Sequence, residues 1–193
     1  ADEAGDYVVR LEGSTKRVRF IGIDSIDASL LEQKEDIFEA ILAKMFNEFL
    51  KDNENTNSES LTYEKRELYQ MFSSIYKKHL NIKQRDFGDI YSSEAAISNL
   101  RDLARSVDIK QEFESLIEKY IHVKSYCEYG YNEHDRYETF LVVSIDDIDM
   151  NVNSGFEILE KIQRYLKVKH LIVILAVNHE QMKLCCQKHF QCI

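Results

Sequence analysis

FLVVSIDDIDM, Phe140 to Met150, is the stretch on which the fold turns. An apolar run climbs to three carboxylates, Asp146, Asp147 and Asp149, and stops there. A short, uninterrupted apolar run reads as a strand buried on both faces, and such strands belong to parallel sheets with helices on each side. The carboxylates at its end repel one another and are costly to desolvate. Ser154 and Glu157 then form a capping-box pattern, and Phe156, Leu159, Ile162 and Leu166 follow at helical spacing. HLIVILAV, His170 to Val177, is a second apolar strand, and a last helix begins near His179. The order strand, helix, strand, helix implies a right-handed crossover and a parallel sheet.

Upstream, Tyr7 to Ile23 reads as β-structure and runs into an acidic turn at Asp24 to Asp27. Ser29 and Glu32 sit at capping-box positions. Leu30, Ile37, Ile41, Met45 and Phe49 then predict a long amphipathic helix ending near Leu50. Lys51 to Ser60 is polar and aperiodic, so a loop is expected. A second helix, Thr62 to Leu80, carries Leu68, Phe72, Ile75 and Tyr76 on one face. Ile97, Leu100, Leu103 and Ala104 mark a third. Asp108 reads as a cap, and Phe113, Leu116, Ile117 and Tyr120 mark a fourth. Tyr126 to Tyr137 reads as an acidic, Tyr-rich loop. The expected architecture is α/β: a three-layer parallel sheet with a helical insertion over residues 51–136.

The chain has 193 residues, 44% of them hydrophobic, and a formal net charge of -9. That is enough for one domain with its own core. The acidic balance argues against direct binding to nucleic acid or anionic membrane, because phosphate contacts draw on Lys and Arg. No apolar stretch is long enough to span a bilayer. Cys127, Cys185, Cys186 and Cys192 show no CxxC pair, so reduced thiols in the cytoplasm are the simplest expectation. The chain has no Pro and does not begin with Met, and we read it as part of a longer protein.

Ligands of open α/β sheets bind at the carboxyl ends of the strands. Asp146 and Asp147 stand at such an end, and hard oxygen ligands there suit a magnesium ion carrying nucleotide phosphates. A second adjacent carboxylate can orient or deprotonate an attacking water.

With these residues in place, FLVVSIDDIDM resembles the Walker B strand of P-loop NTPases, in the hhhhDD form with a further Asp that is typical of the STAND and KAP groups. NVNSGFEILEKIQRYL resembles the helix after Walker B in KAP-like ATPases. HLIVILAVNHEQM resembles their next strand, which ends in a polar sensor position, here Asn178. RVRFIGIDSIDASLLEQKEDIFEAILAKMF is more loosely similar to the strand and helix that follow the P-loop helix. The resemblance covers roughly residues 137–183 well. It implies a regulatory ATPase of signalling or phage-defence type, with ATP and Mg2+ as ligands and self-association or a protein effector as partner. By resemblance, Asp146 coordinates magnesium, usually through water, Asp147 is the catalytic acidic residue, Asn178 senses the γ-phosphate or positions the water, and Asp149 shapes the loop after the strand at the nucleotide site.

The family pattern continues with Arg where this chain has Met150, and the chain contains no GxxxxGK[ST]. Gly13 to Lys16 is the nearest candidate, but it lies between two expected strands instead of leading into a helix. The phosphate loop is therefore expected upstream of Ala1. If it has been lost, the alternative is a non-catalytic NTPase-fold module for docking or oligomerisation. A receiver-like phospho-acceptor domain fits less well, because receivers alternate strand and helix compactly. Other readings stay open at individual positions. Asp146 and Asp147 suit a helix start capped by carboxylates, and Asn178 suits a helix cap. Cys185, His189 and Cys192 have a spacing compatible with zinc, although free Cys also serves as a small buried hydrophobe.

Overall fold

In the computed structural model, the described residues are 5–11, 14–31, 36–55, 62–83, 93–129, 137–150 and 155–191. Strands β1 (Gly5–Leu11) and β2 (Ser14–Gly22) form an antiparallel hairpin. Ser14, Thr15 and Lys16 are part of its second strand, so this segment does not lead into a helix. A two-residue strand, β3 (Ile26–Asp27), and a short 3-10 turn at Ala28–Leu30 follow. Three helices come next: α1 (Ile37–Asn55), α2 (Thr62–Lys83) and α3 (Ser93–Tyr129). The chain then runs through β4 (Glu138–Asp146), a 3-10 turn at Ile148–Met150, α4 (Gly155–Tyr165), β5 (Leu171–Leu175) and α5 (His179–Gln191).

The FLVVSID stretch is the centre of the sheet. β2 and β3 pair in parallel along one edge of β4, and β5 pairs in parallel along the other. The chain is thus mixed α/β with a small parallel sheet carrying an antiparallel hairpin strand. The β4–α4–β5 unit is the expected crossover.

Coverage of β4 differs from the expectation of burial on both faces. Its residues alternate: Thr139, Leu141, Val143 and Ile145 are buried, while Phe140, Val142 and Ser144 are only half-buried. The buried set joins Ile21 and Ile23 of the first sheet edge and the core faces of α1, α2, α3 and α4 in one cluster. On the opposite face Phe20 and Phe140 lie 6.2 Å apart ring to ring, and Ile174 of β5 is 52% exposed. Among the described residues the second face of the sheet is therefore less covered than the first. Apolar residues on both sides of a strand look alike in sequence whether one face is covered or two.

Four helix boundaries are corrected. Ser29 does not start the long helix. It lies in the 3-10 turn, where its N–H and hydroxyl both donate to Asp27 Oδ1, at 2.9 and 2.6 Å. Leu30, expected on the buried stripe, is 75% exposed. The helix starts at Ile37 and its cap is Asp36, whose Oδ1 accepts from the Phe38 N–H at 2.8 Å. It also runs on to Asn55, into the stretch expected as a loop. Glu32, Ser154 and the second half of that loop, residues 56–60, lie outside the described residues. The expected third and fourth helices are one. Asp108 is an exposed residue within α3 and caps nothing, and the helix continues to Tyr129 into the expected Tyr-rich loop. On α2, Leu68, Phe72 and Ile75 are buried as spaced, but Tyr76 is exposed. The buried face of α4 is set by Ile158, Tyr165 and the following Leu166, while Phe156 and Leu159 are half-buried.

Asp36 ties three helices together. Its Oδ2 accepts from Lys161 on α4 at 2.6 Å and meets His79 Nε2 on α2 at 3.2 Å. Burial raises the pKa of this carboxyl, but the hydrogen bonds and charges of His79 and Lys161 outweigh burial and hold it below the usual carboxylate range. A depressed carboxylate pKa means stability that is present above the unfolded pKa and lost as pH falls toward the folded one. Asp36→Asn keeps a capping oxygen but removes the charge. We expect a loss of about 2 kcal/mol near neutral pH, below the full value of a broken buried pair because Lys161 can reach water. Urea midpoints measured against pH should show the wild-type advantage shrinking below roughly pH 4. An advantage that stays constant down to acid pH would contradict this role.

Candidate functional site

The carboxyl edge of the parallel strands gathers the acidic residues. β4 ends at Asp146, and the backbone turns left-handed at Asp147, with φ 54°. Asp tolerates that conformation better than most residues. The Asp147 N–H donates back to Asp146 Oδ1 at 2.9 Å, and the Asp147 carbonyl accepts from the Met150 N–H at 3.2 Å. These bonds close a tight turn that exposes Asp146 and Asp147 and buries Asp149, which is 5% exposed. Gly155 at the start of α4 packs against the turn: a Cβ there would stand 3.0 Å from the Ile148 carbonyl oxygen, so the close approach depends on glycine.

Sequence reasoning missed Asp27. The acidic turn at Asp24 to Asp27 was legible, but its partner was not. In the sheet Asp27 is the register partner of Asp146 on the neighbouring strand. Two parallel strands thus deliver carboxylates to one edge. The Asp147 carboxyl is raised above its ordinary pKa, first by the charge of Asp146, then by partial desolvation and by the charges of Asp27 and Asp149. Such a set of like charges favours a cation in its midst. Among the described residues, however, no three His, Cys, Asp or Glu side chains converge into a cage for a metal. A magnesium ion that keeps most of its water needs only one or two carboxylates, and the exposed Asp146 and Asp147 fit that requirement.

Asn178 follows β5, which is held in step with β4 by the Ala176 N–H donating to the Ile145 carbonyl at 2.9 Å. Asn178 therefore stands at the same carboxyl edge. Its Oδ1 accepts from the N–H groups of Glu180 and Gln181 at 3.0 and 3.3 Å, which makes it the N-cap of α5. Of the zinc-spaced residues, Cys192 and the side chains of Cys185 and His189 lie outside the described residues. Neither Cys127 nor Cys186 takes part in a disulfide. Tyr137, at the end of the Tyr-rich stretch, packs under Arg19, whose guanidinium carbon lies 4.3 Å from the ring centroid.

The fold and this edge define a mixed α/β protein with a carboxylate cluster at the end of its central parallel strand. No protein-family model matches the chain, and no curated protein matches it in sequence. Among the described residues no helix is long and apolar enough to cross a membrane.

Proposed function

We propose that this chain is part of a regulatory P-loop ATPase of the STAND or KAP-like kind, and that the turn after β4 is its magnesium–nucleotide site. The observation that carries the proposal is the position of Asp146 and Asp147 at the carboxyl edge of a parallel strand flanked on both sides by parallel neighbours. Asp146 would hold magnesium, largely through water. The ion would supply charge neutralisation for the phosphates. Asp147, whose raised pKa favours proton uptake, would orient and deprotonate the attacking water. With Asn178 Oδ1 occupied by the α5 cap, its side-chain NH2 group would be the donor to the γ-phosphate. Asp149, buried in the turn, would hold its shape. Hydrolysis also requires a phosphate-cradling loop, which these 193 residues do not carry.

Manganese, as a paramagnetic stand-in for magnesium, tests the turn directly. In an amide NMR titration, Mn2+ should broaden Asp146 and Asp147 first, and Asp146→Asn should weaken this by about tenfold. Broadening spread evenly over the acidic surface, or unchanged in Asp146→Asn, would remove the site.

One observation favours a second reading, a docking or oligomerising module on an NTPase-like fold. The face carrying Phe20, Phe140, Val142 and Ile174 is apolar and incompletely covered. Light scattering with and without ATP separates the two: oligomers that ignore nucleotide favour the module.

A further inference from the structure

β5 lies at an edge of the sheet: among the described residues, the strand it pairs with is β4. The Leu141 N–H donates to the His170 carbonyl at 2.8 Å, and the Ala176 N–H donates to the Ile145 carbonyl at 2.9 Å. A strand turns the backbone groups of alternate residues to opposite sides, so Ile172 and Ile174, between those two, also serve β4. The N–H and C=O groups of Leu171, Val173 and Leu175 therefore point to the open edge. Such an edge is a template for another strand, and proteins commonly blunt it with proline, a bulge or an inward-pointing charge. The strand LIVIL carries none of these.

Its side chains are incompletely packed as well. On the helix-covered face, Leu171, Val173 and Leu175 are the register partners of Leu141, Val143 and Ile145. The β4 residues are fully buried, whereas their β5 partners are only half-buried. A cleft of about 360 Å³ runs beside them, walled by Leu159 and Ile162 of α4 and by Leu166 just beyond it. On the other face, Ile172 and Ile174 continue the apolar surface of Phe140 and Val142.

Sequence and charge decide which strand fits. Leu171-Ile172-Val173-Ile174-Leu175 reads the same in both directions. About a two-fold axis at Val173, antiparallel pairing of two copies sets Val173 against Val173, Leu171 against Leu175 and Ile172 against Ile174. The valine and leucine pairs are the ones whose backbone groups point outward, so they are the hydrogen-bonded pairs of the joint. Branched apolar side chains meet their like across both faces. The flanks agree in sign. Exposed Lys167 and Lys169 precede β5, Lys169 reaching Glu114 at 3.7 Å, and exposed Glu180 follows it at the edge that carries Asp146 and Asp147. Antiparallel pairing brings the basic end of one copy to the acidic end of the other, while a parallel copy would set like charges side by side.

We propose that β5 is the interface of a symmetric homodimer, joined edge to edge into one continuous sheet across Val173. The proposal rests on self-association, the second reading of this chain, and needs no nucleotide. In light scattering without ATP, between about 1 and 100 µM, the mass should rise from one copy to two. Val173→Pro deletes an N–H that β4 does not use, so the chain keeps its own ladder while dimer affinity falls by about 100-fold or more. Ile174→Lys, at an exposed position, puts a charge on the joint and serves if Val173→Pro misfolds by its amide spectrum. In hydrogen exchange, the Val173 amide should be protected in the dimer and exchange freely in the Ile174→Lys monomer. A dimer that persists in a folded variant would overturn this surface and leave self-association standing. A chain still monomeric at about 100 µM would remove both. A Val173 amide protected in a monomer would mean that another strand of the longer protein holds the edge, and would also overturn the proposal.

Discussion

In the full-length protein, Asp147→Asn is expected to lower ATP turnover by about 10²–10⁴, the usual contribution of a positioned general base. Affinity for Mg·ATP should stay within about twofold, because the proposed role of Asp147 lies in the chemical step. The charge environment gives the reason. Asp146 lies adjacent in the turn, and Asp27 and Asp149 add to its field, so Asp147 is the carboxyl whose proton affinity is raised. Asparagine keeps the size of the side chain and its tolerance of the left-handed backbone at φ 54°, but it cannot accept the proton. Turnover and binding measured together separate the roles. Lost turnover with kept binding fits catalysis, lost binding reassigns Asp147 to the metal, and unchanged turnover removes it from the mechanism.

The largest expected loss of stability comes from Phe38→Ala, at about 3–5 kcal/mol. Phe38 is fully buried at the first turn of α1. Its ring meets His79 of α2 at 5.1 Å, Phe113 of α3 at 5.0 Å and Tyr165 of α4 at 5.0 Å, centroid to centroid. One side chain therefore joins four helices, and truncation removes contacts with each while leaving a void that rigid neighbours cannot close. Its N–H also donates to Asp36, so the ring is anchored beside the charged cluster it shields. Urea unfolding of the variant measures the loss directly. A loss below about 1 kcal/mol would mean that the helices do not converge on this ring.

Where the sequence was legible, a strong local pattern coincided with tertiary packing. The strands around Leu141 and Val173, the buried stripe Ile37, Ile41, Met45 and Phe49, and the crossover between β4 and β5 all belong here. Elsewhere a local signal lost to packing or had no local form. Asp108 reads as a helix cap, but an Asp inside a helix costs only a few tenths of a kcal/mol, and Ile109, Phe113 and Leu116 bury the continuing turns. Ser29 with Glu32 reads as a capping box, yet Asp27 takes the Ser29 N–H and hydroxyl, and Asp36 starts the helix instead. The uneven cover of the two faces of β4 leaves no mark on an apolar run. The site was legible only along a single strand: Asp146, Asp147 and Asp149 follow one another, whereas Asp27 joins them by sheet register across more than a hundred residues. The charged group of Asp36, His79 and Lys161 was invisible for the same reason, since its members come from three helices.

In the proposed mechanism the turn after β4 receives nucleotide through magnesium. Calorimetric titration of the full-length protein with ATP, with Mg2+ and then with the metal chelated, tests it most directly. Binding should depend on Mg2+ and weaken by about tenfold or more in Asp146→Asn. Binding that is indifferent to both the metal and Asp146, or no binding of ATP at all, would contradict it.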